Sequence, residues 1–522
     1  MKWQFMVLAA VSAGAAAAAT CESLAELKLP HTIIREAHAV PAAAYTPSIG
    51  RPITDLPAFC RVAGTLKPSE DSDIEFEVWM PATGWNGRFA GIGNGGFAGS
   101  LTLSGMAQEL RRGYATATTD TGHKAAVTPG ATWALGHPQK VIDFGYRAIH
   151  ETAVAAKTLI AAFYGEGPPK HSYFNSCSNG GRQALMEAQR YPEDYDGIIA
   201  GAPANYWTHL LLEGAYLAQA VAEDPAAFIP PLKMAAIEAA TLAACDAGDG
   251  LKDGLISDPR TCHFDPATLL CKGEDNERCL TAPQVSFLRK VYGGPRNAKG
   301  QPIYPGYSPG GEGGAGGWVS WITGTAARKS EGYGFSSQFF SQMVYENAEW
   351  DYSKFDAERE AKAADAKLAS VLNSTSPDLR KFKDRGGKLI LYHGWSDAAI
   401  PPVNAIEYYD SVASKMGAAT AESFVRLYMV PGMQHCGGGP GPNYFWSSDP
   451  KARGDAQHDM EEALESWVEN GASPGPIVAV RFKTAGGAGR PVERTRPLCP
   501  YPQEAHWNGK GSIDEAANFS CK

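Results

Sequence analysis

The chain has 522 residues, 44% of them hydrophobic, with 47 Lys and Arg against 56 Asp and Glu for a net charge of −9. That length exceeds one simple core and implies two or three domains, or one domain with a large insertion. The charge is modest for the size and no long basic run occurs, which argues against nucleic acid as a partner.

Met1 to Ala10, followed by alanines to Ala19, has the short basic start, apolar stretch and small-residue cleavage signal of a secretory signal peptide over residues 1–19. A single membrane anchor is one alternative. A lipoprotein signal ending at Cys21 is another, although Thr20 is a poor residue before a lipidated cysteine. No other segment is long and apolar enough to span a bilayer, so the mature protein is expected to be secreted or periplasmic and off the membrane. Ten cysteines in an exported chain imply disulfides. Cys245 and Cys262, Cys271 and Cys279, and Cys499 and Cys521 fall in local pairs, but spacing alone does not establish connectivity. Asn373 and Asn518 head glycosylation sequons that only a eukaryotic host would use.

Ile74 to Met80 alternates as a strand, and Arg88 to Ile92 is a second, feeding the glycine-rich loop Gly91 to Gly99. Tyr114 to Thr119 is a third, ending in Asp120-Thr-Gly-His123. Ile142 to Tyr164 carries apolar residues at helical spacing. Ser172 to Asn175 reads as a buried strand end, and Arg182 to Arg190 as a helix beginning just after Gly180-Gly181. Gly197 to Ala202 is the next buried strand. From about Tyr206 to Ser376 the rhythm changes to helix-like runs, an acidic cluster and a glycine-rich loop near Gly310, and reads as an insertion. Strands resume at Lys388, leading to Asp397, and at Phe424 to Val430, leading to His435-Cys436. A last helix sets Met460, Leu464, Trp467 and Val468 on one face. The alternation predicts a mostly parallel α/β sheet, with residues 20–205 and 376–522 as the core and 206–375 as a lid domain.

Strand, tight turn carrying Ser178, then helix is the setting of a nucleophile elbow, with free N–H groups of the helix start beside the serine. The stretch departs from G-x-S-x-G, because Ser176 stands where the first glycine belongs. A literal match, Gly306-Tyr-Ser308-Pro-Gly310, lies in a glycine-rich loop with no strand before it and reads as chance. The plainer alternative for Ser178 is a helix-capping serine. In α/β-hydrolases the triad arrives in the order serine, acid, histidine, each on a loop after a core strand. Ser178, Asp397 and His435 meet that order. Asp196 precedes a strand, and Asp120 with His123 precedes the serine. The latter pair reads as loop hydrogen bonding near the site.

Cys177 precedes the serine and Cys436 follows the histidine, so a real triad would bring the two cysteines together. A bridge across about 260 residues is worth about 5 kcal/mol in the chain-entropy account, and it would tie the two reacting loops together. The acidic run Asp246, Asp249, Asp253 is interleaved with glycines. It can wrap a hard cation or be a solvated turn; it is not an EF-hand, since Arg260 stands where the closing glutamate belongs.

Cys-Ser-x-Gly-Gly, Gly-Trp-Ser-Asp and His-Cys in this order resemble the tannase and feruloyl esterase family, which includes mono(2-hydroxyethyl) terephthalate hydrolases. The resemblance extends from about Cys21 to Cys521. It implies an α/β-hydrolase core with a large inserted lid. It implies Ser178 as nucleophile, Asp397 as acid and His435 as base, with an oxyanion hole from the Asn179 N–H and a glycine N–H of Gly95-Gly96. It further implies the bridges Cys177–Cys436, Cys21–Cys60, Cys245–Cys262, Cys271–Cys279 and Cys499–Cys521. For the acidic run it implies a structural Ca2+ in the lid, held by Asp246, Asp249 and Asp253 with the carbonyls of Leu251 and Leu255.

The expected activity is hydrolysis of feruloyl-type aromatic esters, with the substrate attached or not to plant polysaccharide. The alternatives are a tannase, a mono(2-hydroxyethyl) terephthalate hydrolase, or a catalytically silent binding protein on the same fold. Trp318, Phe335, Phe339 and Phe340 are candidate walls of the aromatic pocket, with lid core as the alternative reading.

Overall fold

The computed structural model describes residues 18–47, 50–125, 129–446, 455–484 and 490–522. The signal-peptide segment lies outside the described residues, save its last two positions.

Nine strands form the central sheet. They are β1 (Thr32–Val40), β2 (Phe59–Leu66), β3 (Ile74–Pro81), β4 (Arg88–Ile92), β5 (Ala115–Thr119), β6 (His171–Cys177), β7 (Gly197–Gly201), β8 (Lys388–Gly394) and β9 (Val425–Val430). Their order is β1-β2-β3-β5-β4-β6-β7-β8-β9. From β5 through β9 every pairing is parallel, while β1, β2, β3 and β5 pair antiparallel. The sequence reading covers the parallel half and the antiparallel β3, and misses β1 and β2. β2, β3, β7 and β8 are buried along almost their whole length, as strands covered on both faces must be.

Helices cover both faces. α1 (Ala148–Tyr164) follows a π turn at Asp143–Arg147 and stops at Gly165, whose φ of 68° no helix continues through. α2 (Asn179–Arg190) leaves the end of β6. The expected helix start after the glycines is corrected: the helix begins at Asn179, and both glycines sit in its first turn. The sharp turn is made by Ser178 itself, at φ 68°. The glycines serve close approach: a Cβ on Gly180 would stand 1.9 Å from Ser176 Oγ, and one on Gly181 would stand 2.4 Å from the Gly201 carbonyl.

No strand of this sheet lies between Gly201 and Lys388. That stretch is largely helical, including α3 (Glu213–Glu223) and α4 (Glu331–Gln338). Its apolar side chains gather in two clusters, one around Trp207, Phe339 and Phe340 and one around Ile237, Leu288 and Trp318. The chain leaves and returns side by side, with Ser374 N–H donating to the Asn205 carbonyl at 2.8 Å. α5 (Met460–Asn470) packs Met460, Leu464 and Trp467 on the sheet as its spacing predicts, while Val468 is half-buried. Five disulfides use all ten cysteines, in the five pairings that the resemblance implies.

Replacing Gly181 by alanine should destabilise the protein by about 1–3 kcal/mol, because backbone rather than a flexible side chain would have to yield. The shift in urea midpoint measures it.

Candidate active site

β6, β8 and β9 are parallel, so the loops after them open on one edge of the sheet. Ser178 follows β6, Asp397 follows β8 and His435 follows β9. Ser178 Oγ lies 2.9 Å from His435 Nε2, and His435 Nδ1 lies 2.9 Å from Asp397 Oδ2. The carboxylate fixes the ring hydrogen on Nδ1, leaving Nε2 to accept from the serine hydroxyl. A hydroxyl so held can lose its proton to the ring while its oxygen attacks an electrophile. The Cys177–Cys436 disulfide lies against both partners.

Asp397 is fully buried and all its lone pairs are used. Oδ1 accepts from the N–H groups of Ala399 and Ile400 at 2.8 and 2.9 Å. Oδ2 accepts from His435 and from His393, whose Nε2 is 3.1 Å away. Burial pushes this carboxyl up, but the His435 charge and the two histidine hydrogen bonds outweigh burial and hold it well below the usual carboxylate range. His393, on β8, was not singled out by sequence. Its Nε2 faces two acceptors, Asp397 and the Ile400 carbonyl, each at 3.1 Å, so that nitrogen carries the hydrogen. The signal was available: the histidine lies four residues before the acid in the same strand-to-loop segment.

A pocket of about 520 Å³ opens over Ser178, and its wall includes Gly95, Gly96, Asn179 and His435. Phe97, Trp207, Tyr307, Trp321 and Phe335 supply the aromatic surface. Trp321 meets the His435 ring edge-on at 5.4 Å and stacks on Phe335. Of the four aromatic walls expected from sequence, only Phe335 lines the pocket. Trp318, Phe339 and Phe340 are buried in the insertion's own clusters. Trp207 and Trp321 take that place instead. Among the described residues the wall bears no Lys or Arg and two glutamates, Glu213 and Glu331. Burial pushes the Glu213 carboxyl well above its usual range.

Asp120 accepts from the N–H groups of Glu75 and Gly122, and His123 Nε2 bonds the Phe97 carbonyl at 2.7 Å, bracing the Gly95 loop from behind. The loop around Gly310 braces the other side. Ser396 Oγ donates to the Gly310 carbonyl at 2.8 Å, and Gln434 Nε2 donates to the Gly313 carbonyl at 3.2 Å.

The acidic run lies in the same neighbourhood. Asp246 accepts from Asp253 and Gly254 N–H, and Asp249 accepts from Leu251 N–H and Ser257 Oγ. Asp253 Oδ2 accepts from Arg496 at 2.7 Å and Oδ1 from Leu255 N–H. Among the described residues the one trio of ligating atoms within 4.8 Å of one another is Cys271, Asp275 and Cys279, and its two sulfurs are a disulfide. The three loop carboxylates therefore stand further apart than that. The donor set nonetheless suits a hard cation, being all oxygen with three carboxylates in eight residues.

The strand order, the strand-end serine, acid and histidine, and the apolar pocket above them define an esterase-type α/β-hydrolase. Over residues 60–522 the chain matches the family described as Tannase and feruloyl esterase, and it belongs to that family. An uncharacterized esterase of Xanthomonas campestris pv. campestris is 44% identical over 97% of this chain and 92% of its own length. The mono(2-hydroxyethyl) terephthalate hydrolase of Piscinibacter sakaiensis is 35% identical over 89% of this chain and 85% of its own. The crystal structure of feruloyl esterase B from Aspergillus oryzae superimposes with a TM-score of 0.87 at 30% identity, covering 96% of this chain and 99% of that one. The protein is a carboxylic ester hydrolase.

His393→Phe removes one donor from Asp397 and the donor to the Ile400 carbonyl. It should cost about 1–3 kcal/mol of stability and lower kcat/KM on a simple aryl ester by about tenfold, read by urea unfolding and steady-state kinetics.

Proposed function

We propose that the protein is a secreted serine esterase that hydrolyses esters of neutral aromatic carboxylic acids, feruloyl type foremost, through an acyl-enzyme. The observation that carries this reading is the unbroken Ser178–His435–Asp397 hydrogen-bond chain at the base of a pocket walled by aromatic rings. Ser178 Oγ attacks the ester carbonyl carbon as His435 Nε2 takes its proton. The oxyanion is met by the Asn179 N–H at the start of α2 and by an N–H of Gly95 or Gly96. His435 then hands the proton to the leaving alkoxide, the C–O bond breaks, and the acyl group stays on Ser178. Water repeats the sequence and frees the acid. Residues 206–375 act as the lid that supplies Trp207, Trp321 and Phe335 to the acyl pocket.

The wall's charge supports a neutral acyl ring over a terephthalate monoester. Among the described residues a distal carboxylate would find no Lys or Arg on that wall, only a largely aromatic surface with the Glu331 side chain at its exposed rim. The alanine-rich leader and the five disulfides support export.

A structural Ca2+ is proposed for the acidic loop, with Asp246, Asp249 and Asp253 and the carbonyls of Leu251 and Leu255 as ligands. It would stiffen a loop that abuts the histidine loop: a Cβ on Gly432 would stand 2.5 Å from Leu255 Cδ2. No reaction step passes through it.

Ser178→Ala should abolish hydrolysis of methyl ferulate, methyl gallate and mono(2-hydroxyethyl) terephthalate, a loss of at least about 10³-fold in kcat. Wild type should prefer methyl ferulate to the terephthalate monoester by about tenfold or more in kcat/KM, and the reverse ranking would overturn the charge argument. Chelation should lower the melting temperature, with Ca2+ restoring it in wild type and failing to do so in Asp249→Asn. An unchanged melting temperature would remove the calcium proposal.

A further inference from the structure

Arg182 lies on the first turn of α2, fully buried, yet no carboxylate is within ion-pair distance of it among the described residues. Its partners are neutral. Nη1 donates to the Gly145 carbonyl at 2.7 Å and the Leu372 carbonyl at 3.4 Å, and Nη2 donates to the Phe144 carbonyl at 3.0 Å. The guanidinium lies over the rings of Phe144 and Trp207, at 4.7 and 5.1 Å. Trp207 itself lines the pocket, so the charge is one side chain beneath the wall. A buried Arg without a counter-ion is costly. Burial alone pulls its pKa down to about 9, which leaves it charged at neutral pH.

The fourth hydrogen bond is the informative one. Arg182 Nε donates to Asn179 Oδ1 at 2.8 Å, and Asn179 Nδ2 donates to the Asn94 carbonyl at 3.3 Å. Asn94 is held on its other side too. Its N–H donates to Gln183 Oε1 at 2.9 Å, and its Nδ2 donates to the Ser100 and Thr119 carbonyls at 2.9 and 2.7 Å. Asn94 directly precedes Gly95. The chain Arg182–Asn179–Asn94 thus spans the gap between the helix start and the glycine loop. A clamp for the carbonyls alone would not use Nε in this way.

We propose that Arg182 is a positioning residue for ester hydrolysis: it locks Asn179 and Asn94 into one frame that spaces the two oxyanion donors, and it sets an unneutralised positive charge behind them. The inference rests on the Ser178 reading. In the ground state the charge has no partner. When the carbonyl oxygen becomes an anion it acquires one, through the buried Asn179 and Trp207 side chains that the guanidinium touches, so the stabilisation is selective for the transition state.

The test compares wild type, Arg182→Met, Arg182→Lys and Asn179→Asp on 4-nitrophenyl acetate. It reads kcat, KM, melting temperature and Ki for an aryl trifluoromethyl ketone, which binds as a tetrahedral anion. Arg182→Met should lower kcat about 10- to 100-fold and raise Ki by the same factor, with KM held within about threefold. Arg182→Lys keeps the charge and should recover most of the inhibitor affinity. Asn179→Asp places a carboxylate against the guanidinium and should lower kcat like Arg182→Met without lowering the melting temperature, which keeps the test decisive if Arg182→Met fails to fold. Unchanged kcat and Ki in these variants, or melting temperature and KM moving while Ki stays fixed, overturns the inference. If Ser178→Ala is as active as wild type, the Ser178 reading itself has failed. A dead Ser178→Ala beside fully active Arg182→Met and Asn179→Asp sinks the Arg182 inference alone.

Discussion

Ser178 is held at φ 68° and ψ −127°, a backbone state that costs a non-glycine residue about 1–3 kcal/mol, and the surrounding packing is what holds it there. Its N–H donates to the Gly201 carbonyl at 2.9 Å, and its carbonyl accepts from both Arg182 and Ala204. β6 and α2 can fold so tightly about this residue only because Gly180 and Gly181 present no Cβ to Ser176 and Gly201. The same tightness ties the start of α2 to the end of β7. A serine in a relaxed turn would point its hydroxyl elsewhere, and His435 would have nothing to receive from.

The acid and the histidine depend on the insertion as much as on their strands. Ser396 beside Asp397 and Gln434 beside His435 both bond carbonyls of the Gly310–Gly313 loop. A Cβ on Gly311 would stand 2.7 Å from Ser396 Cβ, so that loop is glycine-rich for contact and not for flexibility. Leu255 packs on Gly432 at the root of the histidine loop, and Trp321 meets the imidazole edge-on. The insertion therefore braces the catalytic edge of the sheet as well as covering it. The disulfide between Cys177 and Cys436 ties the serine turn to the histidine loop.

This division explains what could be read from residue order. Period-2 and buried apolar runs reveal β3 to β9, and the spacing of serine, aspartate and histidine after three of those strands reveals the site. β1 and β2 escape: Thr32–Val40 mixes Arg, Glu and His into an exposed edge, and Phe59–Leu66 is interrupted by Arg61 and Gly64. The pocket wall escapes for a different reason. Val319–Thr323 and Phe339–Val344 are π turns, which add residues per turn and rotate the faces that helical spacing would assign. Trp321 is thereby turned to the pocket, while Trp318, Phe339 and Phe340 face the insertion's interior. Arg182 carries no spacing signal, because its role comes from partners distant in the chain, at Gly145 and Leu372, whereas His393 is legible only once Asp397 four residues on is taken as the acid.

The pocket's composition also sets how choosy the site can be. An aromatic acyl group hides roughly 150–200 Å² of surface, worth about 4–5 kcal/mol at ~25 cal/mol/Å². Aromatic rings of similar size would gain nearly the same against Phe97, Trp207, Trp321 and Phe335, so apolar burial alone does not separate one from another. Discrimination has to come from the polar positions of the wall. A group left unpaired there costs more than one methylene gained or lost, which is worth about 1–3 kcal/mol. Glu213, Glu331, Tyr307 and Ser336 are such positions, and none of them is cationic. Discrimination between acyl groups in such a pocket therefore falls to these polar wall positions and not to its aromatic area.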